Sequence, residues 1–186
     1  MVQHWGADGT PTWAAPKSLA IFILPLTLAV LHIIVATIVT NSSSVQNNPK
    51  KIQNMVLWLV PAISAFTNLA VLLANLNANL NIGTIIFPFV GLLFIVIGNY
   101  LPKTRQNYFI GIRVPWTLNN TDNWHKTHKL AGKTCILGGF LFMIGAAVPQ
   151  NQDVLIILFI SALLLIAVIP ITYSYMLHRE QKKHNR

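Results

Sequence analysis

Five apolar runs, at roughly 18–40, 52–76, 82–101, 134–149 and 154–177, leave this chain few ways to fold. About 20 consecutive apolar residues span a bilayer as a helix. Inside lipid, only helices and closed barrels satisfy every backbone amide and carbonyl. The runs show no strand-like alternation, so the expectation is an all-α integral membrane protein, a polytopic bundle of about five transmembrane helices. Composition agrees: 9% of residues are charged, against about 25% in a soluble domain. The fourth run is short. From Thr134 to Val148 a helix reaches only about 22 Å, against a hydrocarbon core of about 30 Å. That helix is therefore predicted to begin earlier, inside "HKLAGK" (128–133).

Charge placement predicts orientation. Every Lys and Arg except Lys17 lies in one of three segments: Lys50–Lys51, the stretch from Lys103 to Lys133, and the tail from Arg179 onward. Basic flanks favour the cytoplasm, so the C-terminus is expected inside and the N-terminus outside. The formal charge of +9 sits at the ends of apolar runs, which fits anchoring in the lipid bilayer and gives no reason to expect direct nucleic-acid binding. No Asp or Glu interrupts a run, and this argues against a proton- or sodium-driven transporter. The first residues lack the basic start and apolar core of a signal peptide, and a lone Cys135 allows no internal disulfide. Pro25, Pro61, Pro88 and Pro170 are expected to kink four helices. Ala131, Gly138 and Gly145, at heptad spacing, give the fourth helix one small-residue face.

The stretch "NYFIGIRVPWTLNNTDNWHKTHKLAGK" (107–133) is unusually rich in aromatic, basic and His residues. From Tyr108 to Leu118 apolar and other residues alternate, which predicts an extended interfacial strip, with Pro115 opposing a helix. "NNTDNW" then reads as a helix start, with Asn120 or Thr121 as cap and Asp122 four residues before Lys126. Trp116 and Trp124 suit the headgroup zone. Arg113 is expected to face the protein or the cytosol and bridge carbonyls at broken helix ends. Asp122, His125 and His128 follow at i+3 spacing, but three ligands on one short helix drift around its surface. No metal or cofactor is expected, and no nucleophile or phosphate-binding motif points to an enzyme. His32 is the one ionisable group deep in a run; its simplest reading is a neutral His bonded to a neighbouring helix near Thr67 or Asn68. "NLNANLN" (75–81) reads as a tight external turn and "NSSSVQNNPKK" (41–51) as a flexible linker.

The segment "GNYLPKTRQNYFIGIRVPWTLNNTDNWHKTHKLAGK" resembles the signature of the SdpI family of bacterial membrane immunity proteins. The likeness rests on Asn99, Pro102, Lys103, Asn107, Gly111, Arg113, Pro115, Trp116, Thr117, Leu118, Trp124, Thr127, His128 and Gly132. The N-terminal segment resembles a small membrane domain that precedes this signature, through His4, Trp5, Gly9, Pro11 and Lys17. Family members usually carry one more membrane helix ahead of it, and its loss is expected to leave the N-terminus outside. Two regions follow: residues 1–80 with an external segment and two helices, and 81–186 with the signature loop 102–133 and three helices. The resemblance implies protection against a secreted peptide toxin and capture of a cytoplasmic transcriptional repressor at the membrane. A small transporter or channel is the alternative. Topology depends on Lys and Arg, so Trp124→Ala and His128→Ala are expected to spare insertion yet impair signalling or protection.

Overall fold

Why each apolar run becomes one helix is plain from its length and its lack of polar interruption; how the helices meet depends on where side chains are missing. The computed structural model describes residues 1–6, 10–76, 82–147 and 152–184. Five spans are long and apolar enough to cross a membrane: Lys17–Asn41, Lys50–Leu76, Ile82–Lys103, Thr121–Ala147 and Asp153–Lys183. They are α1 (Lys17–Asn41), α3 (Lys50–Leu76), α4 (Ile82–Tyr100) with a following 3₁₀ turn, α6 (Thr121–Ala147), and the pair α7 (Gln152–Leu163) and α8 (Ile169–His184). Two short helices lie between them, α2 (Ser43–Gln46) and α5 (Pro115–Leu118). The fourth membrane helix indeed starts well before Thr134.

Helix α6 is the centre of the bundle: 44% of its apolar window is buried, against 6–17% in the other four. It lies against α4 without intervening side chains. A Cβ at Gly91 would sit 2.5 Å from the Gly139 carbonyl oxygen, and one at Gly98 would sit 2.7 Å from that of Gly132. Two glycine pairs, seven residues apart on each antiparallel helix, thus let the backbones touch. The heptad face expected on α6 is real but points elsewhere. Ala131 is fully buried, and a Cβ at Gly138 would strike the Ile166 side chain on the last span. At Gly145 the space is ordinary.

The first two spans are much less buried than α6. Helix α1 packs on α3, and α3 meets α4 where the Phe66 and Phe89 rings stack at 3.6 Å. Pro25, Pro61 and Pro88 all lie inside helices. Pro170 acts differently: the chain widens into a π-turn at Leu164–Val168 just before it. A wider turn accommodates the missing amide without breaking the span.

One small element among the described residues is not helical. Residues Val2–Trp5 (β1) and Pro11–Ala14 (β2) form a small antiparallel ribbon, paired Val2 to Ala14 and Trp5 to Pro11. Asn75, at the end of α3, holds it: the side chain accepts the Val2 amide at 2.8 Å and donates to the Val2 carbonyl at 2.9 Å. Most of the turn expected at 75–81 lies outside the described residues. His32 also differs from expectation. Thr67 and Asn68 bond carbonyls of their own helix, and the buried Nδ1 of His32 has no partner among the described residues.

Candidate functional site

The candidate site is the end of the bundle where α4 stops and α6 begins. Pro102 ends α4 in a 3₁₀ turn, Leu101–Lys103, and its ring lies against Gly132. Thr104 closes the turn by donating to the Leu101 carbonyl at 2.6 Å. The chain then bends back over α6 instead of running along the interface.

Asn107 makes the bend. Its Oδ1 accepts the amides of Phe109 (2.8 Å) and Ile110 (2.7 Å), and its Nδ2 donates to the carbonyls of Arg105 (2.8 Å) and Ile110 (3.2 Å). All four bonding directions of the buried amide are filled. Gly111 follows with φ +105°, a conformation that side chains with a Cβ rarely adopt. Any Cβ there would also collide with Nε2 of His128. That close approach lets the Ile112 amide donate to His128 Nε2 at 3.0 Å. The other ring nitrogen, Nδ1, lies 2.8 Å from the Trp124 carbonyl. One nitrogen accepts and the other donates, so this pairing holds a neutral imidazole protonated on Nδ1.

Helix α6 presents the opposing face. Asn120 caps it, its Oδ1 accepting the Asn123 amide at 2.9 Å. Trp124 and His128 are fully buried and stack at 4.0 Å, and the indole donates to the Thr104 carbonyl at 2.9 Å. A turn away, the Asn123 side chain accepts from Thr127 (3.0 Å) and from the Ser174 hydroxyl (2.6 Å) and donates to the Ser174 carbonyl (2.9 Å). A buried polar network with its bonds satisfied holds one arrangement rigidly. Asp122 pairs with Lys126 at 2.8 Å on the exposed side, worth a few tenths of a kcal/mol. His125 is exposed as well, while His128 turns inward, so the three residues diverge, and no cluster of metal-binding groups occurs among the described residues.

The predicted extended strip is a bend followed by the helical turn α5. Pro115 opens that turn, where the missing proline amide needs no partner. Thr117, fully buried, accepts the Val114 amide (3.1 Å) and donates to the Ile112 carbonyl (2.8 Å). Gln106 donates to the Thr117 and Leu118 carbonyls, both at 2.7 Å, satisfying the turn's other end. Arg113 is exposed and donates to one loop carbonyl, that of Tyr108, at 2.8 Å; among the described residues it does not make the expected bridge between helix ends. Trp124 is core and not headgroup-facing.

Trp116 faces the other way. Its ring lies over His178 (5.9 Å) and meets Tyr175 edge-on (5.4 Å). Between α5 and α8 this leaves an open cleft of about 620 Å³, lined by Trp116, Asn119, Asn120, His178, Gln181 and Lys182 among others.

The structure brings together Pro102, Asn107, Gly111, Thr117, Trp124, Thr127, His128 and Gly132, nearly all as internal braces. Asn99 and Lys103 are exposed beside them, Lys103 with Nζ 5.4 Å from the Tyr100 ring centre. His4, Trp5 and Pro11 stand apart at the opposite end, in the ribbon, where His4 Nδ1 pairs with the Thr12 hydroxyl at 2.6 Å. Gly9 lies outside the described residues.

The expected flexible linker is a working part of this end. Asn48 is buried; its Oδ1 accepts the Arg105 amide at 2.7 Å, and the Arg105 guanidinium donates to the Asn47 carbonyl at 3.0 Å. Gln53 donates to the Gln46 and Asn48 carbonyls. Asn before Pro was the available signal, since that pair favours an ordered turn. Asn48→Ala leaves the partly buried Arg105 amide without its partner and is expected to cost about 1 kcal/mol. The check is limited proteolysis at Arg105, which should quicken; unchanged cutting would mean that the linker does not brace the loop.

Residues 103–174 match the model of the SdpI/YfhL protein family. The chain is also 27% identical, over 92% of its length and 81% of the relative's, to Immunity protein SdpI of Bacillus subtilis (strain 168). No solved structure matches. The match begins just after α4 and runs through most of the brace to Ser174. This chain is therefore a multi-pass bacterial membrane protein whose 103–174 segment matches the SdpI/YfhL family model.

Proposed function

We propose that this protein is an immunity protein of the bacterial cytoplasmic membrane, that it protects its cell from a secreted peptide toxin, and that its braced end faces the cytoplasm. The support is the likeness to Immunity protein SdpI over most of the chain. Most of the signature residues are buried in the brace that holds α5 against α6, and the α5–α8 cleft beside it, lined by Trp116, is a surface open to a partner. There a cytoplasmic transcriptional repressor would dock, contacting Trp116 and His178. Residues 1–80, with the ribbon of His4, Trp5 and Pro11, would meet the toxin from outside, and residues 81–186 would report it.

The test is survival of a gene-deletion strain in spent medium of its own parent. The deletion strain should die or stall, and the wild-type gene should rescue it. Trp116→Ala and His178→Ala should still rescue survival while changing transcription of neighbouring genes. Equal growth of parent and deletion strain would overturn immunity, and unchanged transcription in both variants would overturn docking at the cleft. Orientation has its own check in a Cys135→Ser background. A Thr121→Cys variant should resist a membrane-impermeant thiol reagent on intact cells and react after permeabilisation; labelling on intact cells would reverse the topology.

A further inference from the structure

Helices α3 and α4 touch at the Phe66–Phe89 stack and part below it. The gap is a groove of about 610 Å³, with Trp58, Leu59, Leu92 and Val96 among its walls and Lys51 and Tyr100 at its basic end. Lys103 stands beside that mouth, over the Tyr100 ring. Among the described residues, α4 packs far more closely on α6 than on α3, and the groove stays open between α3 and α4. Trp58 is 71% exposed and Leu92 52% exposed within it.

We propose that this groove binds one anionic glycerophospholipid from the leaflet on the basic side. Three observations agree on that occupant. Lys51 to Ala62 spans about 16 Å at about 1.5 Å per residue, close to the roughly 15 Å that one leaflet gives to a core of about 30 Å. The walls are apolar and suit acyl chains. The polar end holds two ammonium groups and a phenol, which match a phosphate at headgroup depth, and a basic residue near the surface favours an anionic headgroup by about 1 kcal/mol. Tyr100, at the basic end, is of the residue type that settles at such an interface.

The experiment is native mass spectrometry of the detergent-purified full chain with phosphatidylglycerol or phosphatidylcholine of identical acyl chains. One phosphatidylglycerol should be retained in preference to phosphatidylcholine. Lys51→Gln should weaken that retention about fivefold, the ratio that about 1 kcal/mol represents. Lys129→Gln removes an equal exposed charge elsewhere on the same end and should leave retention unchanged. Leu92→Trp fills the groove and should expel both lipids, whereas Leu137→Trp, on an exposed face of α6, should expel neither. Equal retention of the two lipids would overturn the proposal. So would equal losses in Lys51→Gln and Lys129→Gln, which would reduce the preference to diffuse charge, or a dimer mass in place of lipid, which would seat a second copy there.

Discussion

Trp124→Ala is expected to be the most damaging single truncation at the braced end, lowering stability by about 3–5 kcal/mol. The indole is fully buried, stacks on His128 and donates to the Thr104 carbonyl. Its removal opens a cavity, strands that carbonyl and takes the stacking partner from the His128 ring. Thermal unfolding of the purified protein in mild detergent, followed by circular dichroism, should show a clearly lower midpoint than wild type. An unchanged midpoint would mean that the site collapses around the missing ring and that the brace is not a stability element. Trp116→Ala should be much milder, because that ring is only partly covered. This difference decides which residue probes function. Loss of protection in Trp124→Ala would report unfolding as readily as lost docking, so Trp116 is the cleaner probe of the cleft.

Gly111→Ala should be severe for a residue that gains one methyl group. The backbone angle alone costs roughly 1–2 kcal/mol for a residue with a Cβ, and the new methyl meets His128 Nε2. To relieve the collision the loop must lift, which breaks the Ile112–His128 bond. The two parts can be separated. In a His128→Ala background the collision is absent and only the angle remains, so the same substitution should cost less there. That shortfall from additivity is the reading. Equal penalties in both backgrounds would show that His128 does not set the height of the loop.

The membrane character of the chain was settled by its sequence alone, because length, apolarity and the need to satisfy backbone amides permit one class of answer. The early start and cap of α6 were equally readable, since "NNTD" carries local capping chemistry that holds in any fold. The Asp122–Lys126 pair belongs with them, being set by helix geometry. The resemblance to SdpI-family proteins could also be read from residue identity. What the residues do was another matter. Alternation from Tyr108 to Leu118 suggested an extended strip, because a period of two cannot distinguish one greasy face from residues turned inward by a bend. Trp124 suits lipid headgroups by residue type, and only the approach of Thr104 and His128 places it in the core. Glycines at 91, 98, 132 and 139 acquire meaning as facing pairs, which no single helix contains. Asn48 looked like part of a loose linker until Arg105, far along the chain, supplied its partner. Local propensities act within a few residues and stand written in the sequence. Contacts between distant segments depend on how the helices dock, and at this end of the protein they assign nearly every residue its work.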